Sequence, residues 1–73
     1  MAAADLHTAI GSDPEILGGT VVFTGTRVPV QSLFDHLKAG DSIDDFLAGF
    51  PSVKRDQVLT VLDALQREVL TAA

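Results

Sequence analysis

The chain has 73 residues, ten of them acidic and five basic, for a formal net charge of −5, and it contains no cysteine. One domain spanning 1–73 is all this length allows, and without cysteine neither disulfides nor thiolate metal sites are possible. No apolar run approaches the roughly 20 residues that cross a bilayer, and the excess of acid opposes simple phosphate binding across the whole surface.

Hydrophobic residues make up 47% of the chain and charged residues 21%, a globular composition. A domain this small buries only about 60% of the surface its unfolded chain exposes. With no disulfide or metal to help, oligomerisation is the expected compensation, and a homodimer is its simplest form. The two histidines, His7 and His36, share no local ligand spacing. No metal, cofactor or small-molecule substrate is expected. The start, Met1-Ala2-Ala3-Ala4-Asp5, lacks the basic and apolar regions of a secretory signal, so the cytoplasm is the expected location. The acidity suits a partner with a basic groove and equally serves solubility.

In chain order, Met1 to Ile10 carries few signals and is expected to be frayed or loosely docked. Gly11-Ser12-Asp13-Pro14 is turn chemistry. Glu15-Ile16-Leu17 reads as a short strand, and Thr20-Val21-Val22-Phe23-Thr24, dense in β-branched and aromatic residues, as a second. Gly18-Gly19 between them suggests a hairpin. Two strands alone are marginal, so a dimer that joins two such ribbons into one sheet would complete them.

Val28-Pro29 opens a helix with Val30, Leu33, Phe34 and Leu37 on one face, ended by Gly40. A second helix starts at Ser42 as N-cap with Asp45 at N3, carries Ile43, Phe46, Leu47 and Phe50 on one stripe, and stops at Pro51. A third runs from about Lys54 or Arg55 to about Leu70, with Val58, Val61, Leu62, Leu65 and Val69 facing the core and Ala64 as a small contact site. Leu59 and Leu70 lie off that stripe. Two apolar edges on one terminal helix imply either contacts beyond its own core or a broad stripe that caps a small bundle.

The succession Asp13-Pro14-Glu15-Ile16, Gly18-Gly19, Gly25-Thr26-Arg27-Val28-Pro29-Val30, Ala39-Gly40 and Phe50-Pro51 resembles the DUF-433 family of VapB-type antitoxins over roughly Ile10 to Leu65. The resemblance implies a mainly α fold, with a β-ribbon (10–28) leading into a homeodomain-like three-helix, helix-turn-helix bundle (29–70). It also implies an antitoxin that binds and inhibits a PIN-like ribonuclease toxin, with its own operator DNA as a further partner. The family usually caps its third helix with Thr or Ser, where this chain has Lys54. Lys54 and Arg55 therefore place positive charge at the positive end of a helix dipole.

Three sets of residues follow. Dimerisation is expected through Thr20, Val21, Val22, Phe23 and Thr24, as an exposed strand edge. Toxin binding is expected through Leu59, Leu62, Leu65, Gln66, Val69 and Leu70, as an amphipathic helix laid into a groove. The candidates for DNA are Arg27, Lys54, Arg55 and Gln57, because a recognition helix reads bases with its N-terminal residues and Arg and Gln suit guanine and adenine. The plainer alternative for Arg27 is local pairing with Asp44 or Asp45, and for Lys54, Arg55 and Gln57 an ordinary solvated helix end. His36 beside Asp35 is no catalytic pair, since adjacent helical residues do not face each other. The acidic group Asp41, Asp44 and Asp45 reads as helix-start chemistry, with bait for a basic groove as its other use. No Ser or Cys constellation or phosphate loop is present, and an enzyme is not expected.

Overall fold

The structure is a computed structural model that describes residues 6–15 and 17–72. It is mainly helical, with a two-stranded antiparallel ribbon ahead of three helices. A helical turn α1 (Leu6–Ala9) runs directly into β1 (Ile10–Gly11); β2 (Val22–Phe23), α2 (Val30–Lys38), α3 (Ile43–Gly49) and α4 (Arg55–Ala72) follow.

The ribbon differs from the expected hairpin. β2 pairs with β1, Ile10 opposite Phe23 and Gly11 opposite Val22. The stretch from Leu17 to Gly19 is a 3-10 turn, with Gly18 at φ 67° and Gly19 at φ 91°. Two successive left-handed residues cannot continue a strand. Upstream, the Glu15 backbone N–H donates to the Asp13 carboxylate at 2.9 Å, an Asx turn that bends the chain before Ile16. The central residue of the expected strand, Ile16, lies outside the described residues, as do residues 1–5. The chain around Ile10 is also not loose: Ala9 is buried and α1 packs along α4.

The second side of β2 is covered too. Val22 bridges to Pro29, the Phe23 N–H donates to the Val28 carbonyl at 3.1 Å, and the Val30 N–H donates to the Val21 carbonyl at 3.0 Å. That last bond satisfies one of the donors a helix start leaves unpaired, which α2 needs because Pro29 at its N-cap offers no side-chain bond. The reversal between Phe23 and Val28 is held by buried Thr26. Its hydroxyl donates to the Phe23 carbonyl at 2.8 Å and accepts from the Val28 N–H at 3.0 Å, while Gly25 turns the chain at φ 79°.

The helices end where their chemistry dictates. At the end of α2 the Gly40 N–H reaches the Leu37 carbonyl and the Asp41 N–H reaches the His36 carbonyl; this is a Schellman closure with glycine in the left-handed position. α3 begins with a full capping box, Ser42 and Asp45 each bonding the other's backbone N–H. The core is one cluster: Phe23 from the ribbon, Val30 and Leu33 from α2, Phe46 from α3, Val53 from the α3–α4 loop, and Val58 and Val61 from α4. Phe46 is fully enclosed, with ring centroids 6.1 Å from Phe23 and 4.9 Å from Phe50. Among the described residues no helix is long and apolar enough to cross a membrane.

Candidate docking surface

α4 is the longest element at 18 residues, about 27 Å at 1.5 Å per residue. Its core stripe is used only in its first half. Val58 and Val61 are buried and Leu62 packs against the cluster, but Leu65 is 42% exposed and Val69 68%. Past Leu65 every described residue of α4 is exposed. Leu59 at 48% and Leu70 at 68% exposure stand on a separate side. At 100° per residue, Leu59, Gln66 and Leu70 fall within about 40° of each other and lie about 100° round the helix from Leu65 and Val69. α4 thus carries two uncovered faces. The Asp63–Arg67 pair, 3.1 Å apart, lies beyond the Leu59 face.

The Leu65 face adjoins an apolar groove of about 310 Å³, lined by Leu6, Ile10, Val30, Phe34, Val61, Ala64, Leu65 and Glu68. The expected toxin-binding set therefore does share one helix, though Leu62 is half-buried. Leu6 and Phe34 line the groove with no local sequence signal for it, and Ala64, expected as a small contact site, lines it too.

The segment expected to dimerise is largely enclosed within the chain's own fold. Val22 and Phe23 are buried in the protomer's own core, and β2 lies between β1 and the Val28–Val30 backbone. The Thr24 N–H also bonds inward, to the Ala9 carbonyl at 3.0 Å. The open strand edge expected there is closed by the chain itself, leaving Thr20, Val21 and Thr24 as the exposed members.

The four DNA candidates are not brought together as free donors. Gln57 is tied into the fold: its carbonyl oxygen accepts from the Lys54 N–H at 3.0 Å, and its amide nitrogen donates to the Ala9 carbonyl at 3.3 Å and the Thr24 carbonyl at 3.0 Å. A side-chain amide has two donors, and both are spent on the ribbon. Arg55 pairs with Asp44 at the start of α3, which offsets the unfavourable charge at the α4 N-terminus. Asp44 is thereby taken and Asp45 serves the capping box, so neither pairs with Arg27 as expected. Arg27 and Lys54 are exposed. Arg27 lines a shallow depression with Ser12, Asp13, Gly25 and Ser52.

His36 is more enclosed than its polar neighbours imply. Its ring stands edge-on to Phe46 at 5.5 Å and to Phe50 at 5.6 Å, and its Nδ1 lies 2.9 Å from the Asp41 carboxylate. The Asp45 carboxyl is held below its ordinary 3.8, first by the Ser42 backbone N–H and then by the Ser42 hydroxyl. No group of three or more His, Cys, Asp or Glu able to hold a metal is present among the described residues.

A family model described as "Protein of unknown function (DUF433)" matches residues 10–63. The chain is 41% identical over 49 residues to "Uncharacterized protein y4eO" of Sinorhizobium fredii (strain NBRC 101917 / NGR234). That match covers 67% of the chain but only 22% of the relative, so the chain spans about a fifth of that protein. No solved structure matches.

Proposed function

The chain belongs to the DUF433 family, and on that footing we propose that it is a protein-binding module of the antitoxin type whose partner is a PIN-like ribonuclease. The observation that carries this reading is the exposure of two large apolar residues, Leu59 and Leu70, on a side of α4 apart from its core stripe, on a chain of net charge −5. Leu62, Leu65 and Val69 complete the same helix. A helix with an exposed apolar stripe docks into a groove, and an acidic body held over an RNA-binding channel competes with phosphate for the same cations. Inhibition is then steric and electrostatic, and this chain needs no catalytic group.

The test is co-expression with the product of the neighbouring gene, where that product carries the spaced carboxylates of a PIN-like nuclease. A stable complex that no longer cleaves RNA is expected, as is a complex weakened at least about tenfold by Leu70→Asp. A nuclease that neither co-purifies nor loses activity would end the proposal.

Operator binding is the second reading, favoured by exposed Arg27 and Lys54. Against it stand the engagement of Gln57 and Arg55 and the presence of Asp56 in the first turn of α4. Two cations per protomer give a weak, steeply salt-dependent contact. A mobility-shift titration on promoter DNA, with and without the nuclease, separates the readings: tight binding by this chain alone would make regulation its primary role.

A further inference from the structure

The groove beside Leu65 is already formed in the folded chain. Its walls come from three elements, with Leu6 of α1, Phe34 of α2, and Val61, Ala64 and Leu65 of α4 among its lining. Leu6, Phe34 and Val61 belong to the core cluster or pack against it. A preformed apolar recess of about 310 Å³ spares its occupant much of the ordering cost of binding. The apolar surface also runs on past the recess, because Leu65 and Val69 carry it one turn further along α4, both exposed. From Val61 to Val69 the track is about 12 Å long at 1.5 Å per residue, which matches two turns of a partner helix.

One side chain interrupts the apolar lining. Glu68 is the ionisable residue of the groove, and at 100° per residue it stands about 20° round α4 from Val61. Among the described residues it has no ion-pair partner. No Lys, Arg or His lines the groove, and the adjacent Arg67 is held by Asp63. An apolar track bordered by an unanswered carboxylate complements an apolar stripe bordered by a cation. The net charge of −5 draws the same kind of partner from a distance. A second copy would bring its own Glu68 and no groove cation to answer it. We infer that the groove docks an amphipathic helical segment of another protein. Its two apolar anchors lie one turn apart, the first in the recess and the second along Leu65 and Val69, and a Lys or Arg beside them pairs with Glu68. Such a segment needs only the track, not the roughly 800 Å² that a standard interface takes from each partner. The inference does not rest on the nuclease reading, since the Leu59 and Leu70 side stays open.

The test needs no nuclease. The full chain is used to select from a displayed library of random segments about 15 residues long, the length at which an isolated helix begins to hold. Enriched segments are expected to carry apolar residues at helical spacing and a Lys or Arg beside them, and a Glu68→Lys chain is expected to select Asp or Glu there instead. The affinity of one enriched segment is then measured by fluorescence anisotropy. Glu68→Gln is expected to weaken it about two- to fivefold, the scale of an exposed ion pair. Ala64→Leu, a good helix former that fills the recess, is expected to weaken it at least about tenfold at unchanged helix content. Leu59→Asp, on the other side of α4, is expected to bind as the parent does. No enrichment, enrichment of uncharged or acidic segments, or binding indifferent to Ala64→Leu would each overturn the inference. So would self-association of the parent that Ala64→Leu abolishes, which would give the groove to a second copy.

Discussion

Gln57 offers the sharpest test of how the ribbon is held to the bundle. Replacing it with alanine removes three bonds to backbone groups, at 3.0, 3.3 and 3.0 Å. A typical hydrogen bond contributes a net 0.5–1.5 kcal/mol or so. Two of these three sit in exposed surroundings, and the Lys54 N–H can turn to water. The Ala9 carbonyl keeps its bond from the Thr24 N–H. No partner is left buried and unsatisfied, so each bond counts at the low end of that range, and the expected loss is about 1–2 kcal/mol. In a domain of this size each kcal/mol moves Tm by about 4–8 °C, so Gln57→Ala is expected to melt roughly 5–15 °C lower. Thermal and urea unfolding followed by circular dichroism measure this, with Gln66→Ala as the exposed control on the same helix. Hydrogen exchange adds the location, since the Thr24 and Phe23 amides are expected to lose protection ahead of those in α2. A Gln57→Ala chain that melts within about 2 °C of the parent would refute the reasoning.

Three further outcomes follow from the packing and the caps. Phe46→Ala empties the center of the core and is expected to cost about 3–5 kcal/mol, most of the stability of a chain this short; urea titration checks it. Gly25→Ala meets no atom within 4 Å but forces alanine to φ 79°, so it is expected to destabilise by about 1 kcal/mol from backbone strain alone, read as a shift in urea midpoint at unchanged slope. Asp45 contributes to pH dependence with a definite sign. Its folded value lies below 3.8, so its contribution is present above that value and is lost as pH falls through the depressed one. Acid titration of Asp45→Asn beside the parent is expected to show their difference in stability shrinking only below about pH 4.

The helices were legible because their signals are local. The stripe Val30, Leu33, Phe34 and Leu37 turns inward as its spacing requires, Ser42 and Asp45 close the expected box, and Gly40 ends α2 in the conformation only glycine enters freely. What was not legible is non-local. A strand as short as Ile10–Gly11 contains no alternation to read, so its pairing with Val22–Phe23 could not compete with a nearer hairpin suggested by Gly18-Gly19. The site suffers the same way. Gln57 looks like a free amide at a helix start until a carbonyl 48 residues away, that of Ala9, comes within 3.3 Å. His36 looks solvated until Phe46 and Phe50 fold under its ring.

α4 poses the question that local rules leave open, namely why a helix continues past the body that buries it. Its stripe has met Leu33 and Phe46 through Val58 and Val61 by the time it reaches Leu62, and a free helical end adds ordering entropy without new burial. Short helices in water are marginal, and the cheapest surface for this one would be charged. The chain instead keeps Leu65, Val69 and Leu70 there, on two sides rather than one. A broad stripe that merely capped the bundle would place its apolar residues against the bundle, and Leu70 is not against it. Two uncovered faces on a single projecting helix fit two occupants better than one. The Leu65 side adjoins the groove, and the Leu70 side lies about 100° round the helix from it.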